Sequence, residues 1–348
     1  MEALWYGIVA VMLSLYVVLD GFDFGVGILH LIVARTDAER RQLLSAIGPF
    51  WNGNEVWLLA AGGLLVFAFP GVYAAGFSGF YLPLMMVLWL LVLRGLSIEF
   101  RSKEKNVLWR TFWDCLFSIS SLLMAVVLGA ALGNVIRGVP LGRDGYFDGA
   151  LFTNFQPGVK PGILDWYTVS VGLFAAMTLT GHGASFLVWK TSGELHDRSL
   201  KAAKKLWTAI AAFGVVVTYL THLIRPELYQ SLLARPWTTI FALGIIASLL
   251  TVFSSLWRSW ELLGFCASSI FIVSLLAATA AGMYPNMLIS TIDPAFSMTA
   301  QSAAIGTRGL TIGLYWWVPG MVLVVLYFSN LFRTFASKTH QSDEAYGH

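Results

Sequence analysis

The sequence predicts an all-α integral membrane protein of about nine transmembrane helices, and three observations carry that prediction. Of its 348 residues, 57% are hydrophobic and only 12% are charged, about half the ~25% charge of a typical soluble domain. Mean hydropathy is +0.72. The apolar residues gather into runs long enough to cross ~30 Å of hydrocarbon at ~1.5 Å per residue. A soluble chain of this length would tend to split into domains joined by a polar linker, and no such linker interrupts the sequence. The expected surroundings are a lipid bilayer, with no nucleic-acid partner.

The nine runs fall at 4–33, 51–69, 72–100, 113–136, 162–189, 206–224, 237–257, 262–282 and 309–332. The first, third and fifth exceed the ~20 residues a span needs, so they must tilt, bend or project from the membrane. Pro83 and Pro319 are potential kink points. The two long interruptions, 137–161 and 283–308, are rich in Gly, Pro, Asn and Ser and are expected as extramembrane loops. The polar tail Ser337–His348 is expected to be disordered. The N-terminus lacks basic residues and a small-residue cleavage site, so the first run is read as a span rather than a signal peptide. Cys115 and Cys266 lie in separate apolar runs and suggest neither a disulfide nor a metal site.

With nine spans, successive loops alternate sides. One side collects fifteen Lys and Arg, in the stretches 35–41, 101–110, 190–205, Arg258 and 333–338. The other collects six: Arg137, Arg143, Lys160, Arg225, Arg235 and Arg308. Arg94 lies inside the third span. Cytoplasmic loops carry the excess of Lys and Arg, which predicts an outside N-terminus and a cytoplasmic C-terminus.

A charge at the centre of a spanning helix costs ~2.5–3.5 kcal/mol on insertion scales, so each one needs a reason. The spans hold Asp20 and Asp23, then Glu55, Arg94, Glu99, Asp114, Asp165 and His182. In the predicted topology all but Asp165 fall toward the cytoplasmic ends of their helices. Asp20 and Asp23 are three apart and share a helix face, as do Trp51 and Glu55, four apart. Gly21, Gly25 and Gly27 would let a neighbouring helix approach closely. Four acids and one Arg are expected to converge in a polar patch entered from the cytoplasm. Part of that patch has a structural reading: Arg94 neutralises one acid, Asp23 first and Glu55 second. The surplus acids suit an ion or proton route better. Glu99 lies nearest the interface and is expected to be solvated.

His182, in Gly181-His182-Gly183, has two readings. Flanking glycines would admit a flat macrocycle to an axial histidine, but a lone membrane histidine is more often a hydrogen-bonding packing residue, and the second reading is preferred. His222 is a weaker candidate. Most of the fourteen Trp sit near span ends, as interfacial anchors do. Asp144 and Asp148 are read as solvated loop residues.

The run Asp20-Gly21-Phe22-Asp23-Phe24-Gly25-Val26-Gly27 is unusual for a helix. It is followed by Glu39-Arg40-Arg41, Gly48-Pro49-Phe50-Trp51-Asn52-Gly53-Asn54-Glu55-Val56-Trp57, Phe77-Ser78-Gly79-Phe80-Tyr81, Arg94 and Phe100-Arg101-Ser102-Lys103. In this order and spacing they resemble subunit II of the cytochrome bd quinol oxidases, densely over 16–115 and more thinly afterwards. The resemblance implies a fold of two four-helix bundles plus a peripheral helix. That would place a first bundle in 1–136, a loop at 137–161, a second bundle in 162–282, a loop at 283–308, the ninth helix at 309–332 and a cytoplasmic tail at 333–348. It also implies a bacterial inner-membrane location and a heterodimer. The partner, subunit I, would carry two haem b and one haem d, oxidise quinol and reduce dioxygen to water with cytoplasmic protons. No catalytic residue, cofactor or metal is expected in this chain, and it is not expected to be active alone. There is room in such a complex for small single-helix subunits and a structural quinone. Matched residue by residue, Asp20 falls on a proton-path acid, while Asp23, Trp51 and Arg94 fall on residues needed for assembly or haem retention. The family commonly has Asp where this chain has Asn52. The route would then use Asp20, Glu55 and water, with Asn52 as a hydrogen-bonding spacer.

Two other readings compete. A secondary transporter would place its site at the midplane between inverted repeats, whereas these charges cluster toward one face and no repeat is visible. A self-sufficient haem protein would need paired axial ligands, and only His182, His222 and scattered Met are on offer.

Overall fold

A computed structural model describes residues 1–339, which form thirteen α-helices and one small antiparallel ribbon. The part of the expected tail from 340 to 348, with His340 and His348, lies outside the described residues. α1 (Glu2–Val33) is followed by the short α2 (Asp37–Ile47). A capping box starts α2, with Thr36 accepting from the Glu39 N–H and Glu39 reaching back. Next come α3 (Trp51–Ala68), α4 (Pro70–Gly79), α5 (Tyr81–Phe100) and α6 (Val107–Arg137). The second half contains α7 (Trp166–Lys190), α8 (Gly193–Ile224), α9 (Pro226–Leu233), α10 (Thr239–Arg258) and α11 (Glu261–Met283). It closes with α12 (Ala300–Ala303) and α13 (Thr307–Thr334).

Among the described residues, eight helices are long and apolar enough to cross a membrane, against about nine expected. The difference is the run 51–69. It forms the 18-residue α3, but its first turn, Trp-Asn-Gly-Asn-Glu, is too polar for the helix to qualify by composition. The long third run, 72–100, is two helices, α4 and α5, that break at Phe80. The sixth extends well beyond its apolar part: α8 begins at Gly193, and its first turns carry the charged residues that an apolar window cannot register.

α1, α3, α5 and α6 pack as one group, and α7, α8, α10 and α11 as another. The groups join where α7 meets α1 and α6, and where α11 meets α1. α13 lies outside the first group. Trp5 Nε1 donates to the Leu310 carbonyl at 3.0 Å, Phe328 tilts against Trp57, and Phe332 stacks on Phe50. Leu314, Trp317, Met321 and Val324 also rest against the core, while the opposite face of α13 is open, with Trp316 79% exposed. This is the arrangement of two four-helix bundles and a peripheral helix.

α1 is the hub, and every residue from Asp20 to His30 is buried. Glycine makes this possible. A Cβ on Gly25 would stand 2.1 Å from the Leu179 carbonyl oxygen and 2.7 Å from Gly183 Cα. One on Gly27 would stand 2.1 Å from Ser121 Oγ. Only hydrogen at these positions lets α7 and α6 lie against α1.

The expected loop 283–308 holds the ribbon, β1 (Asn286–Leu288) with β2 (Met298–Thr299). The loop 137–161 reaches it through Val139 N–H donating to the Ile289 carbonyl at 2.9 Å. Both therefore cover one end of the bundles, and α2 lies at the other. Residues 335–339 of the expected tail are docked at the α2 end. Lys190 Nζ donates to the Phe335 carbonyl and, at 2.6 Å, to that of Ser337. Gln42 Nε2 donates to the Thr339 carbonyl at 2.7 Å.

Candidate functional site: a buried arginine among three carboxylates

The patch expected from the sequence exists, with its members paired differently. α5 carries Arg94 into the space between α1 and α3, where it is 1% exposed. Its guanidinium lies over the Phe24 ring, 4.3 Å from the centroid. Nη1 is 2.7 Å from Asp20 Oδ1, and Nη2 donates to Glu55 Oε1. Arg94 thus bridges Asp20 and Glu55; the expected first partner, Asp23, is not its ion-pair partner. Asp23 Oδ2 instead accepts from Asn54 Nδ2 at 2.8 Å, and the same amide donates to the Leu19 carbonyl at 3.0 Å.

Helix phase explains the reassignment. On α3, Trp51, Asn54 and Trp57 face inward and are buried, while Asn52 is exposed. Asn52, the expected spacer, therefore lies on the outer surface, and Asn54 is the amide inside the patch. Asn54 is fully buried, and sequence reasoning passed over it. The available signal was its position three residues after Trp51, on the face already assigned inward. Gly95, beside Arg94, gives room to the Trp51 ring, which lies 3.4 Å from the place its Cβ would take.

Asp20 and Asp23 are fully buried, whereas Glu55 is 25% exposed. The site therefore has one member at the surface and two beyond reach of bulk solvent. Its polar groups are incompletely served by protein. The Arg94–Asp20 contact falls outside hydrogen-bond geometry. Both Asp20 oxygens, Asp23 Oδ1, Asn54 Oδ1, Arg94 Nε, the Tyr16 hydroxyl and the Trp51 and Trp57 Nε1 atoms are buried without a hydrogen-bond partner among the described residues. Most buried polar atoms in folded proteins have a partner, so these incompletely served groups set the patch apart from the apolar core around it. Three carboxylates facing one guanidinium can carry two excess negative charges.

The other buried charges are absorbed into fixed networks. Asp114 accepts from His30 Nε2 at 2.6 Å, Arg101 Nε at 2.5 Å and Arg40 Nη1 at 3.0 Å, so both its oxygens are occupied. Asp37 gathers Arg101 and Arg110, each at 2.8 Å. This knot ties α1, α2, α5 and α6 at the α2 end. At the ribbon end, Asp165 pairs with Arg137 and caps α7 by accepting from Tyr167 and Thr168 N–H. Glu99 is part-exposed at the end of α5.

His182 serves packing. Its Nδ1 is 2.7 Å from Ser268 Oγ and its Nε2 is 3.0 Å from the Val18 carbonyl, joining α7 to α11 and α1. Gly181 and Gly183 accommodate α8 and α1, not a macrocycle: a Cβ on either would come within 2.6 Å of Ile210 or the Gly25 backbone. His222 lies against the Tyr229 ring. With both nitrogens of His182 engaged, these residues do not fit an axial haem site. Among the described residues no group of three or more His, Cys, Asp or Glu is arranged to hold a metal.

Known proteins share this architecture. The profile of the family described as cytochrome bd terminal oxidase subunit II matches residues 1–335. The chain is 41% identical over 201 residues to cytochrome bd-I ubiquinol oxidase subunit 2 of Escherichia coli K12, covering 58% of this chain and 52% of that protein. It thus spans about half the length of the Escherichia coli relatives it matches. It is 29% identical over 315 residues to cytochrome bd ubiquinol oxidase subunit 2 of Bacillus subtilis, covering 89% and 88%. Its fold matches a chain of the bd oxidase from Geobacillus thermodenitrificans with a TM-score of 0.72 at 17% identity, over 96% of this chain and 98% of that one. With a profile match over nearly its whole length and relatives in two bacterial species, this chain belongs to the cytochrome bd terminal oxidase subunit II family.

Proposed function

We propose that this chain is the non-haem second subunit of a bd-type quinol oxidase in a bacterial cytoplasmic membrane, and that its Glu55–Arg94–Asp20 site delivers protons. The reading rests on family membership and on one observation above others. Asp20 is fully buried, yet it shares the Arg94 guanidinium with the part-exposed Glu55, which links it to the surface. The partner would be a haem-bearing subunit I with two haem b and one haem d, which oxidises quinol and reduces dioxygen to water. Haem supplies the electron transfer there. In this chain, Glu55 takes a proton from the accessible side, and Asp20 receives it through water beside the fixed charge of Arg94. Asp23, held by Asn54, is a packing residue. Trp51 walls it. The excess of Lys and Arg at the α2 end supports a cytoplasmic location for that end and for the C-terminus, on the side where the protons originate.

The test is oxygen consumption per assembled haem in the co-expressed complex. Asp20→Asn with Glu55→Gln should lower turnover about tenfold or more, with yield and reduced-minus-oxidised spectra retained. Wild-type turnover in that variant overturns the proton route. Purified without its partner, the chain should show no haem bands and no oxidase activity; stoichiometric haem in the lone chain would overturn the non-haem assignment.

A further inference from the structure

The polar site continues deeper than its carboxylates. Tyr16 stands one helical turn before Asp20 on α1, so the two side chains share a face. About 6 Å of helix axis separates them. In a helix running from Glu2 to Val33, that puts Tyr16 close to the middle. Its side chain is 2% exposed, and its hydroxyl is turned to the Asp20 carboxylate, with no other hydrogen-bond partner among the described residues. Tyr16 lies within the electrostatic reach of Asp20, Arg94 and Glu55. Trp57 Nε1, on α3 and packed in the same cluster, is likewise buried and unpartnered. Beyond Tyr16 on α1 the buried side chains are Ser14, Met12, Val9, Ile8 and Trp5, and Ser14 Oγ donates to the Ala10 carbonyl at 2.7 Å. Trp5 Nε1 is already committed to the Leu310 carbonyl. The polar ladder therefore ends at Tyr16.

We propose that Tyr16 is the inner relay of the proton route, the last group in this chain to pass a proton on at mid-depth. The inference rests on the proton-delivery reading above and extends it by one residue. The step is a hop through a neutral hydroxyl. A proton leaving Asp20, directly or over one water, adds to a lone pair of the Tyr16 oxygen as the phenolic proton departs along the next hydrogen bond. The residue starts and ends neutral, so no charge is left on a tyrosine in the membrane. With the polar groups further along α1 already committed to carbonyls, the phenolic proton passes to a water on the side of Tyr16 away from Asp20 and leaves α1 there.

The decisive variant is Tyr16→Phe in the co-expressed complex, which removes one oxygen and keeps the ring. Expected are a fall in oxygen-reduction turnover of about fivefold and a larger solvent deuterium isotope effect. Haem content, quinol KM and thermal stability should stay as in wild type. A merely structural hydroxyl would move stability and leave the isotope effect alone. Wild-type turnover and isotope effect in the Phe variant overturn the proposal. If that variant fails to assemble, Tyr16→Gln takes its place, since it restores hydrogen bonding without a relaying hydroxyl; slowed turnover supports the relay and wild-type turnover overturns it. Asp20→Asn, measured in parallel, separates the two readings. A slow Asp20→Asn with a fast Tyr16→Phe removes Tyr16 alone, whereas two fast variants remove the whole route.

Discussion

Two clusters of buried charge lie toward the same end of the first bundle and differ in how completely they are satisfied. Around Asp114, two guanidiniums and a histidine converge on one carboxylate, and both its oxygens accept hydrogen bonds. Around Arg94, three carboxylates converge on one guanidinium, and both Asp20 oxygens and Asp23 Oδ1 fall outside hydrogen-bond geometry with any protein donor. In the first the carboxylate is fully occupied and only donors are left over, His30 Nδ1, Arg40 Nε and Arg101 Nη1, and the network ties four helices together. In the second the leftovers include carboxylate oxygens, held away from solvent. The lesson is that a buried ion is informative through its leftover valence rather than through its presence.

The largest effect that would break this contrast is loss of Asp114. Removing one member of a buried ion network leaves uncompensated charge, at ~3–5 kcal/mol. Asp114→Ala should therefore reduce the yield of assembled complex most of all, read by size-exclusion chromatography of detergent extracts. Recovery of wild-type yield would mean that the Asp114 knot does not hold the helices. Next comes Arg94→Ala, which strands Asp20 and Glu55 together and should also cut yield and haem content. Adding Asp20→Ala should restore part of both, and adding Asp23→Ala should not. Equal rescue by the two would erase the distinction between the bridged acid and the amide-held one.

Smaller effects sharpen the comparison. Asn52→Asp changes an exposed side chain, so its stability cost should stay within ~0.5 kcal/mol, measured as a thermal midpoint in detergent. A large shift would put Asn52 inside an interface. The smallest effect concerns Glu39, outside the membrane spans. Burial works to raise its pKa, but the Arg35 and Thr36 N–H groups and the Arg198 guanidinium hold the carboxyl below its ordinary range. Its stabilising contribution is therefore complete above the usual glutamate pKa of ~4.3 and lost as pH falls through the lower folded-state value. The stability gap between wild type and Glu39→Gln should narrow as pH drops below ~4. A gap that is constant down to strongly acid pH would refute the ionic basis.

The spans were legible because hydrocarbon thickness imposes a length that composition reveals. Their ends were less so. α8 continues thirteen residues before its expected start at 206 because an amphipathic helix outside the bilayer leaves no apolar run. The convergence of Asp20, Asp23, Glu55 and Arg94 could be read because all four lie at similar depth. Which acid Arg94 takes could not, since Asp20 and Asp23 sit on one face and differ only by a turn. Asn54 and Tyr16 gave weak signals, as an amide or a phenol costs less to bury than an ion. His30 gave no signal of its own in the sequence. Its role needed Asp114, 84 positions away, to be placed beside it.

The contact between Gly25 and Gly183 has a mechanical consequence. The two bundles meet there backbone to backbone, with no side chain between them to change rotamer or compress. A joint of that kind has no slack. Any shift of α7 pushes directly on the stretch of α1 that bears Asp20 and Asp23, so a disturbance in the second bundle reaches the carboxylates of the first undamped.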